Sequence, residues 1–174
     1  GTRWQLSITP SSDASNIYTI FGDSTSDMII PAGYQEPAPF GANTGGVNAA
    51  FIPVAPSAAY DSWLSVGITD GDAGGALGSV GIDFTGWTSD AGITIDNGAV
   101  FWMIPDNGPA GKAVVAQITT DGTFSTTINA QGRSTSGDDW QARGITFDFS
   151  GGGGGIAVDA DMLMGAPDGT CYYM

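Results

Sequence analysis

Apolar and polar residues alternate along much of this chain. In residues 3–9, RWQLSIT, Trp4, Leu6 and Ile8 share one face and Gln5 and Ser7 the other, the period-two pattern of a half-buried strand. NIYTIF (16–21) and DMIIP (27–31) read as two further short strands. Strand signals resume at AYDSWLSVGI (59–68), SVGIDF (79–84), AGITI (91–95), AVFWMI (99–104), KAVVAQIT (112–119), TFSTTINA (123–130) and WQARGITFDF (140–149). In the last of these Ile145, Phe147 and Phe149 face one way, and Thr146 and Asp148 the other. Residues 31–56 hold five of the nine prolines around an NTGG segment, which predicts a long irregular loop.

A Gly-Ile unit ending in an acidic turn recurs as VGITDGD, VGIDFTG, AGITIDNG and RGITFDFSG. Its irregular spacing argues against a solenoid and for one strand-to-turn solution used several times. Short strands about every ten residues, separated by Gly and Asp turns, predict an all-β fold. The expected architecture is a single jelly-roll-like β-sandwich over 1–149, of short antiparallel strands and long loops.

Past that domain, SGGGGG (150–155) reads as a flexible hinge, and 156–174 as a last strand with a tail. Ile156, Val158, Ala160, Met162 and Met164 fall on one face of that strand. A strand on such a leash can close its own sheet or add to a neighbour's exposed edge.

Composition sharpens the fold class. Of eighteen acidic residues only Glu36 is glutamate, and Lys112, Arg3, Arg133 and Arg143 are the only basic ones. Helix surfaces are normally dressed in Glu, Lys, Arg and Gln, which this chain cannot supply. It has 28 glycines instead, with many β-branched and aromatic residues suited to strands. A net charge of −14 excludes nucleic acid and anionic membrane surfaces as partners. No apolar run reaches the roughly 18 residues of a membrane span, so membrane insertion is not expected. The acidic surface fits a salty or divalent-rich medium outside the cell. Cys171 has no partner in the sequence for an intrachain disulfide; it could pair between chains or stay a free thiol.

The chain has no histidine, which removes imidazole bases and imidazole-held zinc, copper or iron. TIFGDSTSDM (19–28) resembles the first block of the GDSL (SGNH) hydrolases, and the resemblance implies that Ser24 is a nucleophile. It covers about eight residues. The late Asp-x-x-His block of that family has no counterpart, and without a base Ser24 stays protonated. The residues by themselves read as a polar turn, and the chain as a non-enzyme.

Two ligand classes fit better. Calcium takes six to eight oxygens, and Asp70, Asp72, Asp96, Asp106, Asp138 and Asp139 lie in turns that could offer them. Asp70 and Asp72 fall on one side of a turn, and Asp138 and Asp139 put like charges side by side. Trp63 and Trp102 sit in strand patterns and are expected inside. Trp87 in FTGWTSDAG and Trp140 in GDDWQ sit in turn contexts and are expected outside, where they could stack on sugar rings. The sequence thus predicts an extracellular or cell-surface structural subunit (filament, sheath, wall or matrix). It would form a homo-oligomer or polymer through its C-terminal strand, with Ca²⁺ as a structural ion. The alternative is a carbohydrate-binding module that takes polysaccharide.

Overall fold

The computed structural model describes residues 1–149, 156–163 and 166–173. The described residues are built mostly from strands. These are β1 (Thr2–Pro10), β2 (Thr19–Gly22), β3 (Met28–Ile30), β4 (Trp63–Leu64), β5 (Leu77–Val80), β6 (Ile93–Ile95), β7 (Gly98–Trp102), β8 (Ala113–Thr120), β9 (Phe124–Arg133), β10 (Asp139–Phe149), β11 (Ile156–Leu163) and β12 (Ala166–Tyr173). They form two sheets. One runs β12-β11-β1-β8-β4. In the other, β9 carries β10 along one edge and β2 and β3 end to end along the opposite edge. β7 and β6 continue outward from β2 and β3, and β5 closes the row beyond β7.

One core joins the two sheets. Leu6, Ile8, Leu64, Val115 and Ile118 come from the first, and Ile20, Met28, Val100, Ile128, Ile145 and Phe147 from the second. Alternation puts them there: on β10 Trp140, Ile145, Phe147 and Phe149 are buried while Gln141, Thr146 and Asp148 are exposed. Each such side chain removed from water contributes roughly 1.5–3 kcal/mol. The all-β reading holds, and the strands at 3–9, 112–119, 123–130 and 140–149 appear as expected.

Two local expectations are corrected. VGITDGD forms bends rather than strand, and the strand read at 79–84 runs instead from Leu77 to Val80. It stops there because Gly81 turns left-handed with φ 68°. A Cβ on Gly81 would strike the Asn97 carbonyl. Asp83 then caps a short 3₁₀ turn at Phe84–Gly86 by accepting the Thr85 N–H at 3.0 Å.

The 31–62 segment is irregular, as its prolines require, and it covers the outer face of β1 and β8. Arg3 and Gln117 both donate to the Ala59 carbonyl, and Gln117 also donates to Asp61 O at 2.7 Å. β8 is therefore buried on both faces, with Gln117 and Thr119 as well as Ile118 withdrawn from water.

Candidate functional site

The GDSTSD motif forms a step between two strands. Asp23 and Ser26 bridge each other's backbones at 3.1 Å both ways, and the step splits what would be one strand into β2 and β3. Asp23 Oδ1 accepts the N–H groups of Thr25 and Ser26 at 3.0 and 3.1 Å. Its Oδ2 accepts Arg143 Nη2 at 2.6 Å. That guanidinium contact, first of all, holds the Asp23 carboxyl below the usual carboxylate range. Ser24 is exposed at the tip of the turn. Every polar atom of Asp23 thus shapes the backbone or anchors Arg143, whose guanidinium also lies over the Phe21 ring at 5.2 Å.

The six candidate calcium ligands are dispersed. Asp72 sits in the left-handed region at φ 40°, and its carboxylate accepts Ala76 N at 2.8 Å and Leu77 N at 2.9 Å. Asp70 is exposed on the same loop. Asp96 is exposed between β6 and β7. Asp70 and Asp72 line one cleft of their loop, and Asp106 and Asp139 are brought together around a cation that already stands between them. Arg133 Nε meets Asp106 at 3.1 Å and Nη1 meets Asp139 at 2.6 Å. The two carboxylates, Asp106 foremost, push the Arg133 pKa up. Asp139 also accepts the Tyr18 hydroxyl at 3.1 Å. Its neighbour Asp138 is exposed and accepts Ser134 N–H on its main-chain carbonyl. Among the described residues, no three carboxylate or thiol groups converge as a metal site would need.

The expected exposure of two tryptophans is corrected. Trp87 is 2% exposed and Trp140 7%. Turn context misleads because each indole N–H reaches a main-chain carbonyl distant in sequence: Trp87 donates to Pro31 O at 2.8 Å and Trp140 to Asn16 O at 3.0 Å. Gly132 makes room for the second ring, which a Cβ there would meet at 2.7 Å. Neither ring face is open to a sugar. Trp63 is buried, and Trp102 is half-buried with its indole on Val66 O at 2.7 Å.

The strand expected past the glycine run lies parallel to β1, with Ser7, Ile8, Thr9 and Pro10 opposite Asp159, Ala160, Asp161 and Met162. The hairpin of β11 and β12 leaves β12 outermost in that sheet. Backbone register places Ile156, Val158, Ala160 and Met162 along β11. Met164 and the 150–155 hinge lie outside the described residues.

Two residues stand out that alternation alone does not single out. Asn129 is fully buried, with its amide bonded to Phe21 O and to Gly144 N–H. Asp61 is 1% exposed. Its carboxylate accepts Glu36 N–H at 2.8 Å and Ala42 N–H at 2.6 Å, closing the 36–42 loop onto the protein. Burial pushes its pKa up to about 6, against the pull of those amides. The sequence signal was an Asp inside the strand-like run AYDSWLSV. Comparison of the chain with protein-family models, curated proteins and solved structures finds no match.

Proposed function

We infer that this chain is a non-catalytic structural module of an extracellular assembly, a single jelly-roll-like sandwich whose C-terminal hairpin can be exchanged between copies. The observation that carries the reading is the seat of β11. It is joined to the body by a run of five glycines and pairs with β1 through a continuous parallel register. The same register on a neighbour's β1 would reproduce every backbone bond, so exchange costs little beyond the entropy of association. The way the acidic side chains are spent supports the same reading. Asp23, Asp61, Asp106 and Asp139 all bond backbone amides or arginines, and the chain carries no imidazole.

Calcium belongs to this reading as a stabiliser of the outer loops, at the cleft beside Asn48, Asp70 and Asp72. A melting temperature lowered by chelator supports that role, and one unmoved across millimolar Ca²⁺ removes it. The assembly itself is tested by sedimentation of the full chain over a wide concentration range, beside an Ala160→Pro variant. Proline removes a ladder donor from β11, so larger species should form in the parent and be lost in the variant.

A further inference from the structure

We propose that the cleft between the outer face of β1, β8 and β4 and the 47–59 segment binds a short hydroxycarboxylate. Strand register builds its floor. Gln5 of β1 lies opposite Gln117 of β8, and Gln117 lies opposite Trp63 of β4, so three strands set these side chains in one row. Val47, Ala49, Ile52 and Ala58 wall the cleft. Its volume is about 180 Å³, room for roughly six to eight non-hydrogen atoms at about 30 Å³ for each water-sized group.

Trp63 carries the inference. It is 2% exposed, and its indole N–H has no hydrogen-bond partner among the described residues. Trp87, Trp102 and Trp140 each place theirs on a main-chain carbonyl. The side-chain atoms sealed from both partners and solvent are Trp4 Nε1, Ser11 Oγ, Gln35 Nε2 and Thr119 Oγ1. Trp63 Nε1 is not one of them, so this unbonded donor opens on the cleft that its ring lines. Buried polar groups are nearly always bonded, and an open donor inside a cleft points to an acceptor that the cleft receives.

Two further groups select the ligand class. Gln5 Nε2 donates to Gln117 Oε1 at 3.1 Å, and Gln117 Nε2 donates to Asp61 O at 2.7 Å. Gln5 Oε1 is left as an open acceptor. Arg133 and Arg143 each face carboxylates. Arg3 faces none among the described residues. Its Nη1 donates to Ala59 O at 2.9 Å, and its guanidinium lies 5.7 Å from the Tyr60 ring centroid, which holds it at the rim with N–H groups to spare for a carboxylate. One hydroxyl can accept from Trp63 Nε1 and donate to Gln5 Oε1, while a short aliphatic body meets the Val, Ala and Ile wall. The lining carries no acidic side chain to repel an anion. The net charge of −14 acts from farther away and is screened beyond roughly 8 Å in physiological salt. β11 pairs with Ser7, Ile8, Thr9 and Pro10, farther along β1, so binding here does not rest on strand exchange.

The test is titration of the full chain, in physiological salt, with the three positional isomers of hydroxybutanoate, read from the indole N–H resonances. Trp63→Phe identifies the Trp63 signal by its loss. At least one isomer should move that signal to saturation and leave those of Trp87 and Trp140 in place. Butanoate, which lacks the hydroxyl, and the amide of the binding isomer, which lacks the charge, should each bind about tenfold more weakly, the scale of one hydrogen bond. Arg3→Gln should weaken binding of the acid about as much, and Arg3→Lys less. The proposal is overturned if no isomer moves the Trp63 signal up to tens of millimolar, if the signal drifts without saturating, or if the amide binds the parent as tightly as the acid does. It is equally overturned if the Arg3→Gln variant binds the acid like the parent.

Discussion

Ser26 and Asn129 exchange two hydrogen bonds across the break between β2 and β3: the Ser26 hydroxyl donates to Asn129 Oδ1 at 2.8 Å, and Asn129 Nδ2 donates to Ser26 O at 2.6 Å. The same amide donates to Phe21 O at 2.9 Å and accepts Gly144 N–H at 2.8 Å. Interrupting β2 and bulging β10 leave backbone groups without ladder partners, and one side chain satisfies both irregularities. Asn129→Ala should therefore cost on the order of 3 kcal/mol, since it orphans several buried groups at once. Urea unfolding measures it, and a loss near zero would mean that the step closes without the amide.

Asp61 gives a pH dependence whose sign is opposite to that of most carboxylates. Its pKa lies at about 6 when folded, against 3.8 for an unperturbed aspartate carboxyl. The folded state therefore binds its proton more tightly than the unfolded chain does. The stability this confers is complete below about pH 4 and is lost as pH rises through 6, on the order of 3 kcal/mol in all. Asp23 and Asp83, held low by Arg143 and by Thr85, act the other way, losing their contribution as pH falls. Comparing unfolding of the parent and Asp61→Asn at pH 4.5 and 7.5 isolates Asp61. The parent should lose more stability than the variant over that interval, and parallel losses would contradict the assignment.

Much of this fold is legible from period-two alternation, because β1, β9 and β10 each set one face against the common core. Alternation fails where both faces are covered. β8 buries Gln117 and Thr119 on its outer face under the 31–62 loop, a contact between residues over fifty positions apart. The tryptophan expectation fails for a related reason. Turn neighbours made Trp87 and Trp140 look exposed, yet distant carbonyls at Pro31 and Asn16 receive their indoles.

Burial of those rings is itself measurable. Trp140→Phe gives up the bond to Asn16 and leaves a void beside Gly132, which should cost about 1–3 kcal/mol. Trp87→Phe should behave alike. Urea unfolding measures both losses, and values near zero would mean that the indoles are not held inside.

Arg133 holds Asp106 and Asp139 at the outer end of β9, where all three side chains meet water. Exposed pairs contribute little, so Arg133→Gln should leave the melting temperature close to that of the parent in moderate salt. A large drop would show that the Tyr18, Gln131 and Asp139 contacts around it act as one cooperative network.

The most direct test of the assembly account uses the register between Thr9 and Asp161. In a chain carrying Thr9→Cys and Asp161→Cys, with Cys171→Ser to remove the native thiol, mild oxidation locks β11 to whichever β1 it occupies. Exchange predicts a ladder of covalent oligomers on a non-reducing gel, growing with protein concentration before oxidation. Monomer alone, cross-linked within itself at every concentration, would show that each hairpin stays on its own chain.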